Sequence, residues 1–108
     1  MELIRTKGIT AKDIFNATSA KSIKDIKDET ISVNGVFVKE KAEEDGKVTT
    51  VGYLKTEDGV IYATVSATVI EQLEPLAEML DETGSVCNIK VVGKTSNANR
   101  EYFQLELV

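Results

Sequence analysis

Tyr53, Lys55 and Tyr62 are the residues of this chain best suited to grip a ligand. A phenol ring offers a flat π-face on which another ring can stack, and an ammonium offers a compact positive charge. All three lie in KVTTVGYLKTEDGVIYATVS, residues 47–66. Two runs rich in Val, Thr, Tyr and Ile meet there at Asp58-Gly59. Asp-Gly between alternating strands signals a hairpin, because Gly takes positive φ without steric cost. A two-residue turn pairs Lys55 with Tyr62, Leu54 with Ala63, Tyr53 with Thr64 and Gly52 with Val65. One face then carries Tyr53, Lys55, Tyr62, Thr64 and Ser66. The other carries Leu54, Ile61, Ala63 and Val65 as core. A four-residue turn keeps both tyrosines together, whereas a three-residue turn with a Gly bulge separates them. Taken alone, the hairpin is evenly balanced between a binding platform and strands that simply favour tyrosine.

Other chemistries find little support. The chain has no histidine and one cysteine, Cys87, which excludes the usual zinc sites, Ser-His-Asp triads and Cys-His pairs. Cys87 cannot form an internal disulfide and reads as a buried thiol. Gly93-Lys94-Thr95 is not a phosphate loop: the required upstream Gly position holds Asn88, and no helix follows. Glu43, Glu44 and Asp45 are adjacent rather than alternately spaced, so they read as a solvated loop and not a cation site. No cofactor is implied. There is no apolar run long enough to cross a membrane and no signal-peptide core, so a cytoplasmic location is expected.

The net charge of −5 argues against a polyanionic partner. Residues 67–85, however, hold five acidic and no basic residues, so the excess sits on one helical segment and spares the strands.

At 108 residues the chain is read as one domain, with a helix and connector over 1–29 and a barrel over 30–108. Leu3 and Ile4 are packing candidates. Thr10 to Asp13 forms a capping box that opens a short helix ending near Thr18, with Ile9 and Ile14 as a staple and Phe15 as packing. Residues 19–29 alternate Lys and Asp around Ile23 and Ile26, as a surface connector. Lys21, Lys24 and Lys27 could touch phosphates there, but a solvated face is the stronger reading. Residues 30–41 form one long strand bent by a bulge at Gly35, with Phe37 near the sheet surface. Thr68 to Glu71 is a second capping box. The helix it opens repeats Val69, Ile70, Leu73, Leu76, Ala77 and Leu80 at helical period. Pro75 should kink or divide that helix, and Gly84 should cap it. Residues 86–93 turn Cys87, Ile89 and Val91 to one face. Residues 101–108 turn Phe103, Leu105 and Leu107 inward and Tyr102, Gln104 and Glu106 outward.

After the first helix the order is strand, strand, strand, helix, strand, strand. This predicts a mainly β five-stranded OB-fold barrel, with a helix between strands three and four. That fold binds oligonucleotides on strands two and three, between the loops that follow strands one and four. Lys39, Lys41 and Lys47 edge the first loop; Lys94 and Arg100 edge the second. Aromatic faces flanked by cations suit sequence-tolerant single-strand binding.

The stretch GYLKTEDGVIYATVSATVIEQLEPL, followed by VGKTSNANREYFQLELV, resembles small phage single-stranded DNA-binding proteins. The matching residues are Asp58, Gly59, Tyr62, Thr64 and Ser66, then Lys94, Ser96, Asn97, Arg100, Tyr102 and Phe103. The resemblance implies protection of single strands in replication or recombination. It also implies a flexible acidic tail, which this chain is expected to lack because its last strand runs to Val108. The expected contacts are Tyr53 and Tyr62 as stacking rings, with Phe37 and Tyr102 as lesser ones. Lys39, Lys47, Lys55, Lys90, Lys94 and Arg100 are expected to contact phosphates. The expected partner is single-stranded DNA, and edge strands of a small open barrel could pair into a dimer. The rivals are a protein-interaction or adaptor module built on the same barrel, supported by the acidic helix, and a carboxylate enzyme, for which no convergent pair is visible.

Overall fold

The computed structural model describes residues 2–108, with side chains from Ile4 onward; the side chain of Leu3 lies outside the described residues. The strands are β1 (Glu2–Arg5), β2 (Lys21–Ser22), β3 (Thr30–Ala42), β4 (Val48–Thr56), β5 (Ile61–Thr64), β6 (Cys87–Thr95) and β7 (Glu101–Leu107). The helices are α1 (Ala11–Asn16) and α2 (Ala67–Thr83), with 3-10 turns at Ala17–Ser19 and Ile23–Ile26. The sheet runs β2-β5-β4-β3-β6-β7, and β1 adds to β3. It curls into a mainly β half-barrel consistent with the OB pattern. The sheet holds seven strands rather than five. β1 and β2, of four and two residues, are too short for any periodicity to register.

β3 is the strand around which the sheet bends. It is continuous over 13 residues, and its register shifts between Val33 and Gly35, so the expected bulge is present. Before the bulge it pairs with β6 and beyond it with β1, while β4 pairs with it from Val33 to Ala42. Inside the curl, Val33, Val36, Val38, Leu54, Ile89, Val91 and Leu105 pack against Val69, Leu73, Leu76, Ala77 and Leu80 of α2. Ile4 packs against the same core, and Ile23 and Ile26 belong to it, so residues 19–29 are not a surface connector. Gly52 lets α2 approach the sheet: a Cβ there would stand 2.6 Å from Leu73 Cδ1.

Several local expectations are corrected. α2 starts at Ala67, with Ser66 at the N-cap making no side-chain bond. It passes through Pro75 as one helix; the carbonyl that Pro75 leaves unpaired belongs to exposed Glu71. Gly84 caps it as expected, with φ +63° and its N–H donating to the Leu80 carbonyl. Phe15 is 75% exposed rather than packed, and Leu107 is exposed rather than inward. Cys87 is half-buried against the core. On the outer edge of β7, the Gln72 amide bonds both the N–H and the carbonyl of Leu105 at 2.8 and 2.9 Å. The helix thus covers part of the edge that a second copy would use.

The decisive correction is the hairpin register. The turn holds three residues, Glu57, Asp58 and Gly59, with Gly59 at φ +89°. Thr56 N–H donates to the Val60 carbonyl at 2.9 Å, and Val60 N–H returns a bond to the Thr56 hydroxyl at 3.1 Å. Pairing therefore runs Lys55 with Ile61, Leu54 with Tyr62, Tyr53 with Ala63 and Gly52 with Thr64. Relative to a two-residue turn, β5 slips by one position. Tyr53 and Tyr62 fall on opposite faces.

Candidate nucleic-acid interface

Tyr53, Lys55, Ile61 and Ala63 share the outer face of β4 and β5, beside Phe37 of β3. The Phe37 and Tyr53 rings stack 4.5 Å apart at 12°. Of the expected surface cluster, Tyr53 and Lys55 remain together but without Tyr62, and the N-terminal segment lies over this face. Ile9 and Ala17 join Phe37 and Ile61 in a second buried cluster, flanked by Ile14, Ala20 and Tyr53. Phe37 has no exposed surface at all. Gly35 leaves the space that Ile9 fills, since a Cβ there would lie 2.7 Å from Ile9 Cδ1. The Arg5 guanidinium donates to the Ile9 carbonyl at 2.9 and 3.2 Å. The Lys55 ammonium donates to the Asp13 carboxylate at 2.9 Å.

Two ionisations reflect this cover. Burial opposes the charge on Asp13, but the Thr10 N–H, the Lys55 ammonium and the Thr10 hydroxyl together outweigh it and hold the carboxyl below its usual range. Burial pushes the Tyr53 phenol up.

Tyr62 faces the other way, packed against the main core. It lines a hollow of about 440 Å³ with Thr30, Ser32, Glu57 and Asp58. Its phenol is pushed up by burial, then by the charges of Asp58, Glu29 and Asp25. Such a negative neighbourhood disfavours a phosphate backbone.

An open cleft of about 590 Å³ lies where β5 and the start of α2 face the start of β7. Val51 and Ala63 line it from the outer face of β4 and β5, Tyr102 and Phe103 from β7, and Ser22 and Lys24 from the connector. Glu101 also lines it. An adjoining hollow shares Tyr102 and Phe103 and adds Lys27 and Lys94. Gly93 makes room for the Lys27 stem, which a Cβ would meet at 2.6 Å. Lys94 has Glu106 at 3.6 Å, with both side chains near half-exposed, a pair that binds weakly in water. Arg100 closes the preceding loop, where Asn99 takes φ +59° and Ser96 N–H donates to the Arg100 carbonyl.

Other expected contacts are dispersed. Lys39 sits opposite Val51 on the Tyr53 face, and Lys47 is exposed after the acidic loop. Lys90 stands between Thr30 and Glu106 on β6, on the far half of β3. The structure instead brings Lys24 to the cleft and Lys27 to the hollow beside it. They arrive there through the parallel pairing of β2 with β5 and the bridge between Lys27 and Val91. Neither pairing leaves a pattern in the sequence. Among the described residues, no group of three or more acidic or cysteine side chains could hold a metal. No helix among them is long and apolar enough to cross a membrane.

A family model described as phage single-stranded DNA-binding protein, of the Phi29 type, matches residues 5–108. The chain belongs to this family. Neither a curated protein nor a solved structure matches the chain significantly. For this single-stranded DNA-binding family member, the matched range takes in the N-terminal cover, the β4–β5 face and the cleft together.

Proposed function

We propose that the chain is a non-enzymatic, sequence-tolerant binder of single-stranded DNA that acts in phage replication or recombination, in the host cytoplasm. In this reading residues 1–108 form one OB-fold domain, with β3 to β7 as its five barrel strands. DNA enters the cleft beside β7. Tyr102 stacks a base there, while Lys24, Lys27, Lys94 and Arg100 meet phosphates. Tyr53, Lys55 and Lys39 continue the path across the β4–β5 face.

The observation that carries the reading is the cleft itself: Tyr102, Phe103 and Lys24 line it, and Lys27 and Lys94 adjoin it. Every base has a π-face, so rings flanked by cations bind without reading sequence. The five carboxylates of residues 67–85 occupy one helical segment, where they can point away from the strand path.

The test is a titration with oligo-dT. The chain has three tyrosines and no tryptophan, so its intrinsic fluorescence reports ring stacking directly. Quenching that saturates and weakens with added salt is expected. A flat signal at low salt, with no shift in an oligonucleotide's polarisation, would refute the proposal.

A further inference from the structure

We infer that the N-terminal segment, residues 10–20, is an internal competitor for single-stranded DNA, masking the Tyr53–Lys55 strip until DNA displaces it. The inference rests on the single-strand-binding reading and deepens it.

The segment mimics what a nucleotide would bring. The Asp13 carboxylate sits on the Lys55 ammonium at 2.9 Å, where a phosphate oxygen would sit. Ile14 and Ala20 pack against the same buried cluster that Tyr53 flanks, on the face where a base would stack. The strip beneath is already ordered, because Phe37 backs Tyr53 at 4.5 Å from within the second core.

Ala17 anchors the cover in the second core, but the helix ahead of it is short. α1 has six residues and buries none of them completely, and Phe15 points its ring to solvent. Ala20 separates two empty spaces, the cleft on one side and a hollow of about 320 Å³ against Gly59 and Val60 on the other. The cleft reaches Val51 and Ala63, the neighbours of Tyr53 on the same face. A strand lying in the cleft therefore meets the edge of the cover next. Displacing it exchanges one anion on Lys55 for another and sets a base against Tyr53, in return for lifting Ala17 off Phe37 and Ile61. Ile9 and the β1 pairing hold the chain ahead of the segment, because Ile9 is buried to 3% exposure.

Two measurements on the full chain test this. Amide exchange is followed with and without saturating oligo-dT. The Ile14, Ala17 and Ala20 amides, bonded within the segment, should exchange faster when DNA is bound, while β3 amides should not. In parallel, Asp13→Asn should tighten oligo-dT binding about two- to five-fold, as expected for removing one partly exposed competing charge. Glu78→Gln on α2, an equal change in net charge, should not do so. Segment amides that slow or stay unchanged on binding overturn the inference, as does an Asp13→Asn gain no larger than that of Glu78→Gln. Failure of the wild-type chain to bind oligo-dT at all would instead refute the proposed function.

Discussion

The salt dependence of binding can be worked out from the cleft. Lys24 lines it, Lys27 and Lys94 border the adjoining hollow, and Arg100 ends the loop that leads into Tyr102. If each of these cations neutralises one phosphate, log K should fall against log salt with a slope of about −2.8, at about −0.7 per phosphate on a single strand. Raising salt from about 50 to about 200 mM then costs about 50-fold in affinity. Lys94→Ala should bring the slope down by about 0.7. Tyr102→Ala should lower affinity by about 5- to 150-fold, since stacking is worth about 1–3 kcal/mol per base. It should leave the slope unchanged, because a phenol releases no counterion. Polarisation of a labelled oligo-dT, read across a salt series, measures all three. Lys90→Ala is the internal control, since Lys90 pairs with Thr30 and Glu106 and lines neither the cleft nor the adjoining hollow. A slope near zero, or equal losses of slope from Lys90→Ala and Lys94→Ala, would refute a path through the cleft.

Two further outcomes concern the scaffold. Gly52→Val should destabilise the fold by about 1–3 kcal/mol, because its Cβ would press on Leu73 Cδ1 at 2.6 Å and Ile70 Cγ1 at 3.1 Å; a urea midpoint equal to wild type would exclude that close approach. Asp13 has a depressed folded-state pKa, so its contribution is present above the ordinary value near 3.8 and is lost as pH falls through the folded value. The stability gap between wild type and Asp13→Asn should therefore be open at neutral pH and close under acid, and a gap that persists at pH about 2 would remove the ion pair as its cause.

The parts of this fold legible in the sequence are those with a long repeat. Residues 30–41 show a sustained strand pattern with an internal glycine, and one strand, Thr30–Ala42, runs through them with its bulge there. Residues 67–83 show helical period, and five of those apolar positions line the core. The parts that stayed hidden owe their positions to distant partners. Ile23 and Ile26 look like isolated apolar residues in a charged connector, yet they join the core because β2 pairs with β5. Phe37 reads as a surface ring until Ile9 and Ala17, far away in sequence, fold over it. Phe15 reads as packing, but its six-residue helix meets the sheet through Asp13 and Ile14 instead.

The site turns on one residue of turn length. Asp58-Gly59 permits either a two-residue turn or a three-residue turn with Gly at the left-handed position, and alternation along the strands suits both. Thr56 decides between them. It is buried to 5% exposure, and it takes bonds from Val60 N–H and shares its hydroxyl with Asp58. Glu57 N–H is tied in turn to the Ser32 carbonyl of β3 at 2.9 Å. These bonds lock the longer turn, and because side chains alternate strictly, a slip of one sends Tyr62 inward and Ile61 outward. Ile61, now on the outer face, needs an apolar lid, and Ile9 and Ala17 supply it. The slip that divides the two tyrosines is therefore the same slip that requires an N-terminal cover over Tyr53 and Lys55. Without it the outer face would carry Tyr62 and Thr64 in place of Ile61 and Ala63, and Phe37 would have less apolar surface beside it on which residues 10–20 could settle.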